Sequence, residues 1–196
     1  MAFSLVGRAK VAVHILILLV NIVVLALSTR VNLYQEFFFM ADRFPFILSI
    51  ITFALLGTMT LLDFVTNNSY TGRAQFEIGV FSILSIFWLA FNAFSSSRWG
   101  SAPFACGDIP AAYPDVIQWC HELSALRVMI WVEWLMFFFT TIATLRYAIT
   151  QNNRGNKHIF KMPLSRYAPN TGANPYGQNA EYAFNQQYTE SNSKMY

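Results

Sequence analysis

Four long apolar runs constrain this chain more than any other feature. They lie at residues 11–27, 44–62, 76–94 and 126–149. As an α-helix, at 1.5 Å per residue, each run is long enough to cross a hydrocarbon core of ~30 Å. Only 12% of the residues are charged, whereas a water-soluble domain usually carries about 25%. The sequence therefore predicts an all-α fold, a four-helix transmembrane bundle with a disordered cytoplasmic C-terminal tail.

The first apolar run has an alternative interpretation. It follows Arg8 and Lys10 and ends near Ala26-Leu27-Ser28, small residues of the kind that a signal peptidase accepts, so a cleaved signal peptide is the alternative. The run is longer than a typical signal core and carries His14 and Asn21 within it. We therefore expect a retained span.

The positions of lysine and arginine predict the orientation. Arg30, Arg43 and Arg98 fall on one side of a four-span chain, and most of the other basic residues fall on the side of the two termini. Both termini should therefore be cytoplasmic. The sequon at Asn67 then lies on the cytoplasmic side, where it would not be glycosylated. The expected location is a multi-pass protein of the plasma membrane or of secretory or endosomal vesicles.

The chain's two cysteines, Cys106 and Cys120, both lie in the loop between the third and fourth runs. In the predicted orientation this loop faces the lumen or the exterior, where disulfides persist. A bridge between them would close a loop of about 15 residues and stabilise the fold by ~3 kcal/mol. The alternative is a pair of free thiols.

Polar residues recur at helical spacing inside the apolar runs. Asn21 follows His14 by seven residues, Asn92 follows Ser85 by seven, and Thr140 follows Glu133 by seven. Residues seven apart share one face of a helix, and polar side chains in a membrane face the bundle interior. We therefore predict a polar seam inside the bundle. It consists of His14, Asn21, Asn92 and Glu133.

Glu133 is the most costly of these residues to place in a membrane. Counted from the outer ends of the apolar runs, Asn21 and Thr52 lie at a similar depth and are its predicted hydrogen-bond partners. A protonated or hydrogen-bonded glutamate in this position would fix the register of the helices. The competing hypothesis is proton or ion handling, as in a small transporter, a channel or an accessory subunit.

The composition changes after the fourth run and divides the chain into three parts. Residues 1–150 form the predicted membrane domain, residues 151–167 a basic strip, and residues 168–196 a polar tail predicted to be disordered. Basic residues of the strip would bind anionic lipid headgroups of the cytoplasmic leaflet; alternatively, they only enforce topology. They are Arg154, Lys157, Lys161 and Arg166.

The pattern of reactive residues does not indicate an enzyme. The three histidines, His14, His121 and His158, fall at different depths or on different sides of the predicted membrane, whereas metal sites need clustered ligands. The sequence contains neither a phosphate-binding glycine loop nor a nucleophile and base in a known arrangement. We expect no catalytic residue, no metal, no cofactor and no nucleic-acid partner.

The arrangement of spans, loops and cysteines resembles the MARVEL family of membrane proteins. The resemblance is carried by the basic lead Arg8-Ala9-Lys10, the Cys106 and Cys120 pair, and Ala125-Leu126-Arg127 at the start of the fourth run. It covers roughly residues 5–150 and is closest to fungal members of the non-classical-export and eisosome type.

The resemblance implies a non-enzymatic organiser of membrane patches rich in sterol or sphingolipid, or a protein of vesicle trafficking. Such a protein would act by lateral association and partner recruitment. Its implied partners are membrane lipids, including the anionic cytoplasmic leaflet, and further copies of itself or other membrane proteins.

Overall fold

The computed structural model describes residues 5–34, 40–66, 70–99, 106–154 and 159–161. Four helices account for nearly all of this part: α1 (Leu5–Tyr34), α2 (Met40–Val65), α3 (Ala74–Trp99) and α4 (Pro114–Asn153). Two short 3-10 turns, Cys106–Asp108 and Ile159–Lys161, flank α4. All four helices are long and apolar enough to cross a membrane. The predicted four-helix architecture is therefore confirmed, and the predicted disordered tail lies outside the described residues.

Two helices are much longer than the apolar runs that predicted them. α1 continues past Leu27 to Tyr34, and α4 begins at Pro114, well before residue 126. Pro114 and Asp115 suit a first helical turn, because proline there gives up no hydrogen bond and an acidic side chain complements the helix dipole. The polar residues between Pro114 and Leu126 therefore belong to α4, although they lower its hydropathy.

The four helices pack as neighbours in an antiparallel bundle. α1 contacts α2 and α4, and α3 contacts α2 and α4. Large apolar side chains fill the space between them, among them Ile17, Leu56, Phe81, Trp88 and Phe137, all of which are fully buried. α1 supplies part of this core through Ile17, Val24 and Val31, which are also fully buried.

The outer surface of the bundle is also apolar. Leu19, Ile86, Val128 and Phe139 are each more than half exposed, at 56%, 67%, 61% and 60%. Exposed apolar area costs about 25 cal/mol per Å² in water, but it costs nothing comparable against lipid tails. The exposed apolar side chains and the buried polar ones together match a protein whose solvent is the bilayer.

The predicted disulfide is confirmed. Cys106 and Cys120 are bonded, with an S–S distance of 2.01 Å and a Cα–Cα distance of 5.8 Å. The bond ties the turn Cys106–Asp108 to the beginning of α4.

Candidate functional site

The structure buries all four residues of the polar seam. His14 is 2% exposed, and Asn21, Asn92 and Glu133 are fully buried. This is the placement that their spacing predicts. The structure also buries three charged residues close to His14, namely Lys10, Asp63 and Glu77.

An ion cluster (Lys10, His14, Asp63 and Glu77) joins three helices at the end of the bundle where α1 begins. Lys10 Nζ of α1 lies 2.9 Å from Asp63 Oδ2 of α2 and 3.0 Å from Glu77 Oε2 of α3. His14 Nε2 lies 2.9 Å from Glu77 Oε1. None of the four side chains is more than 7% exposed. The cluster is therefore an interior feature of the bundle.

The cluster holds one lysine and two carboxylates, so its charge depends on His14. With a neutral imidazole the four groups carry a net charge of −1, and with a protonated imidazole they are neutral. Desolvation costs several kcal/mol for each buried ion, which only close pairing can offset. The close contacts of Lys10 with both acids supply that pairing.

Sequence reasoning missed the ion cluster for an identifiable reason. In the sequence, Lys10 belongs to the basic lead before the first apolar run, Asp63 directly follows the second run, and Glu77 stands at the beginning of the third. One signal was available, since Lys10 and His14 are four residues apart and share a helix face. Their acidic partners lie 53 and 63 residues away in the chain, and no spacing rule covers such a distance.

The predicted partners of Glu133 form other hydrogen bonds. Asn21 Nδ2 donates to the carbonyl oxygen of Ser49 at 2.9 Å, and Thr52 Oγ1 accepts from Trp88 Nε1 at 3.2 Å. Neither carboxyl oxygen of Glu133 has a hydrogen-bond partner among the described residues. The predicted bond from Asn21 or Thr52 to Glu133 is therefore wrong.

The aromatic contacts explain why the depth estimate failed. Phe81 lies 5.1 Å from His14 and 5.3 Å from Phe137, measured between ring centroids, so these three residues form one layer. Glu133 is four residues from Phe137 and Asn21 is seven from His14, or about 6 Å and 10 Å along the helix axes. Glu133 therefore lies between the ion cluster and the level of Asn21. Counting from the ends of the apolar runs misplaced it, because α1 and α4 both continue beyond those ends.

Other polar atoms in the seam also lack a partner in the described part of the chain. Asn21 Oδ1 and Asn92 Nδ2 are buried without a hydrogen bond, although Asn92 Oδ1 accepts one from Ser96 Oγ at 3.3 Å. Buried polar groups are nearly always paired with protein or with water. The bundle interior therefore has unused hydrogen-bonding capacity on the side of Glu133 that faces away from the ion cluster.

Two of the four predicted headgroup-binding residues lie outside the described residues. Arg154 is exposed just after α4. Lys161 belongs to the turn Ile159–Lys161, and Lys157 and Arg166 are not described. The same turn buries Ile159 completely against Ala74 and Ala148. The basic strip is thus anchored to the bundle by at least one apolar side chain.

The described residues contain no group of three or more His, Cys, Asp or Glu side chains placed to hold a metal ion. No protein-family model, curated protein or solved structure matches this chain. The resemblance to the MARVEL family stays a prediction.

Proposed function

We propose that this protein is a non-enzymatic organiser of lipid-rich membrane patches, or of trafficking vesicle membranes, that acts by lateral association and partner recruitment. The observation that supports this most directly is an aromatic ridge (Trp131, Trp134, Phe138 and Phe139) on α4. Neighbouring rings along this ridge are 5.5–5.6 Å apart.

The aromatic ridge faces outward. Trp131, Phe138 and Phe139 are 39%, 40% and 60% exposed. α4 also buries the smallest share of its apolar stretch, 17%, against 28% for α1 and 39% for α2. Flat, rigid aromatic side chains offer a large contact area at a low cost in conformational entropy. Such a surface suits the flat ring system of a sterol or the aromatic side chains of another membrane protein.

The basic strip after α4 would add electrostatic attraction to the cytoplasmic membrane surface. Each basic residue near an anionic leaflet contributes about 1 kcal/mol of attraction. Four such residues would hold the segment after α4 at the cytoplasmic surface, where a partner could be recruited.

Partitioning of the full-length protein in phase-separated giant vesicles tests the proposal. Phe138→Leu/Phe139→Leu removes two rings of the ridge and keeps the surface apolar. A matched control is Phe53→Leu/Phe64→Leu, since these phenylalanines of α2 are similarly exposed, at 45% and 48%. The ridge variant should lose its preference for the sterol-rich phase, and the control should keep it. Equal partitioning of the ridge variant and the wild type would contradict the proposal.

A second candidate function is a small transporter, a channel or an accessory subunit built around Glu133. The observation that favours it is the fully buried carboxyl group without a partner among the described residues. Ionisable residues inside a membrane often mark proton or ion pathways.

A further inference from the structure

Buried polar residues extend along most of the length of the bundle. The ion cluster lies at one end, Glu133 follows about one helical turn beyond the layer of His14, Phe81 and Phe137, and Asn21 and Asn92 lie farther along. Measured along the bundle axis, each of these groups is separated from the next by one or two helical turns. Ionisable and polar groups from all four helices therefore follow one another along the bundle axis.

Among these buried residues, Glu133 is the one whose charged side chain has no compensating hydrogen bond in the described part of the chain. Both of its carboxyl oxygens lack a partner within the described part of the chain, and the side chain is fully buried. A buried polar group without a hydrogen bond costs several kcal/mol, and an ionised carboxylate costs more. A proton or an ordered water would relieve this cost.

A proton fits Glu133 better than a metal cation does. Hard cations such as Ca²⁺ take 6–8 oxygen ligands, and Glu133 has no hydrogen-bonding neighbour among the described residues to supply a second one. A proton needs one carboxyl oxygen only.

His14 is the member of the ion cluster that belongs to the layer one helical turn from Glu133. Its Nε2 contacts Glu77, and its ring lies against Phe81, which in turn contacts Phe137, one turn from Glu133 on α4. The structure describes further ionisable groups at this end of the bundle: Arg8 and Lys10 of α1, Asp63 of α2, Tyr70, Arg73 and Glu77 at the start of α3, and Arg146, Tyr147 and Arg154 at the end of α4.

We propose that Glu133 is a proton-binding site in the bundle interior, supplied from the ion cluster through His14. The proposal rests on the second candidate function and names its ligand and its route. The proton leaves the imidazolium of His14 and joins the carboxylate of Glu133, with water as the carrier between them. The ion cluster then changes from neutral to −1 and Glu133 from −1 to neutral, so the total buried charge is unchanged.

Two measurements on the full-length protein in neutral-lipid vesicles test this proposal. The first is proton uptake, reported by a trapped pH dye while valinomycin and a potassium gradient set the membrane potential. The second is the infrared band of a protonated carboxyl group, followed as the pH of the same vesicles is changed. Circular dichroism and the oxidised state of the disulfide verify that each variant is folded.

We expect the wild type to take up protons faster than protein-free vesicles. Glu133→Gln keeps the size of the side chain and should lose both the uptake and the titrating band. His14→Gln should slow the uptake but keep the band. The matched control is Glu122→Gln, the same change near the outer end of α4, where Glu122 contacts Gln118 at 3.2 Å and Arg30 at 3.5 Å. It should keep both signals.

The possible outcomes distinguish the proton-binding site at Glu133 from the proposed transport function. A band that titrates in the wild type and is lost in Glu133→Gln, without proton uptake, would support the binding site and overturn the transport function. Uptake that survives Glu133→Gln would overturn the site. Unchanged uptake in His14→Gln would overturn the route through the ion cluster.

Discussion

Replacing Lys10 with methionine should destabilise the bundle more than any other single charge removal in the ion cluster. Lys10 is the cation that both acids contact, with Asp63 at 2.9 Å and Glu77 at 3.0 Å, and both carboxylates are at most 5% exposed. Methionine keeps most of the apolar stem and removes the charge. Two buried carboxylates are then left to repel each other, and Glu77 keeps its contact with His14.

The expected loss of stability in Lys10→Met follows from the burial of its two acidic partners. Removing one partner of a buried ion pair typically costs 3–5 kcal/mol, because the other charge stays buried and uncompensated. Lys10 contacts two carboxylates, so Lys10→Met should reach this range, which lowers the folding equilibrium constant by roughly two to four orders of magnitude. Arg30→Met is the matched control. Arg30 is 62% exposed and lies 3.5 Å from Glu122, and such surface pairs contribute about 0–1 kcal/mol.

The assay is reversible unfolding of the full-length protein in mixed micelles, followed by circular dichroism. A triple variant, Lys10→Met with Asp63→Asn and Glu77→Gln, removes all three charges and should recover most of the lost stability, because uncharged replacements of buried ion groups are often neutral. A Lys10→Met protein within about 1 kcal/mol of the wild type would refute the reasoning. So would a triple variant as unstable as the single one.

Four further predictions follow. Glu133→Leu should raise the free energy of unfolding by about 1–3 kcal/mol, because the described structure shows no hydrogen bond for leucine to break; a loss of stability in the same micelle assay would reveal an undetected partner. Reducing the disulfide should lower that free energy by ~3 kcal/mol, and Cys106→Ser/Cys120→Ser should respond no further to reductant. In cells, tags on both termini should be accessible from the cytoplasm and Asn67 should carry no glycan; a glycan there would reverse the predicted orientation. Neutralising the four basic residues of the strip should weaken association of a 150–196 peptide with anionic vesicles, and added salt should weaken it as well; binding indifferent to both would leave the strip as a topology signal only.

The number of helices and the buried face of at least one of them are predictable from the order of residues alone. Four long apolar runs can satisfy their backbone hydrogen bonds inside a bilayer only as helices or as a closed barrel, and continuous apolarity selects helices. The seven-residue spacing of His14 and Asn21 also predicted which face of α1 is buried, because helical periodicity is a local property. The pairing of Cys106 with Cys120 was predictable for a similar reason, since the chain contains only these two cysteines.

The contacts between polar groups of different helices depend on how the helices pack, which no local pattern in the sequence specifies. Lys10, Asp63 and Glu77 come from three helices, and their contact depends on how far each helix is shifted along its axis relative to its neighbours. A shift of one turn, about 5.4 Å, would separate them. The axial positions of α1 and α4 also explain why Asn21 does not hydrogen-bond to Glu133. Both helices extend beyond their apolar runs, and the layer formed by His14, Phe81 and Phe137 fixes their relative heights. Hydropathy predicts which segments of the chain enter the membrane. The packing of side chains between the helices determines which buried polar residues contact each other.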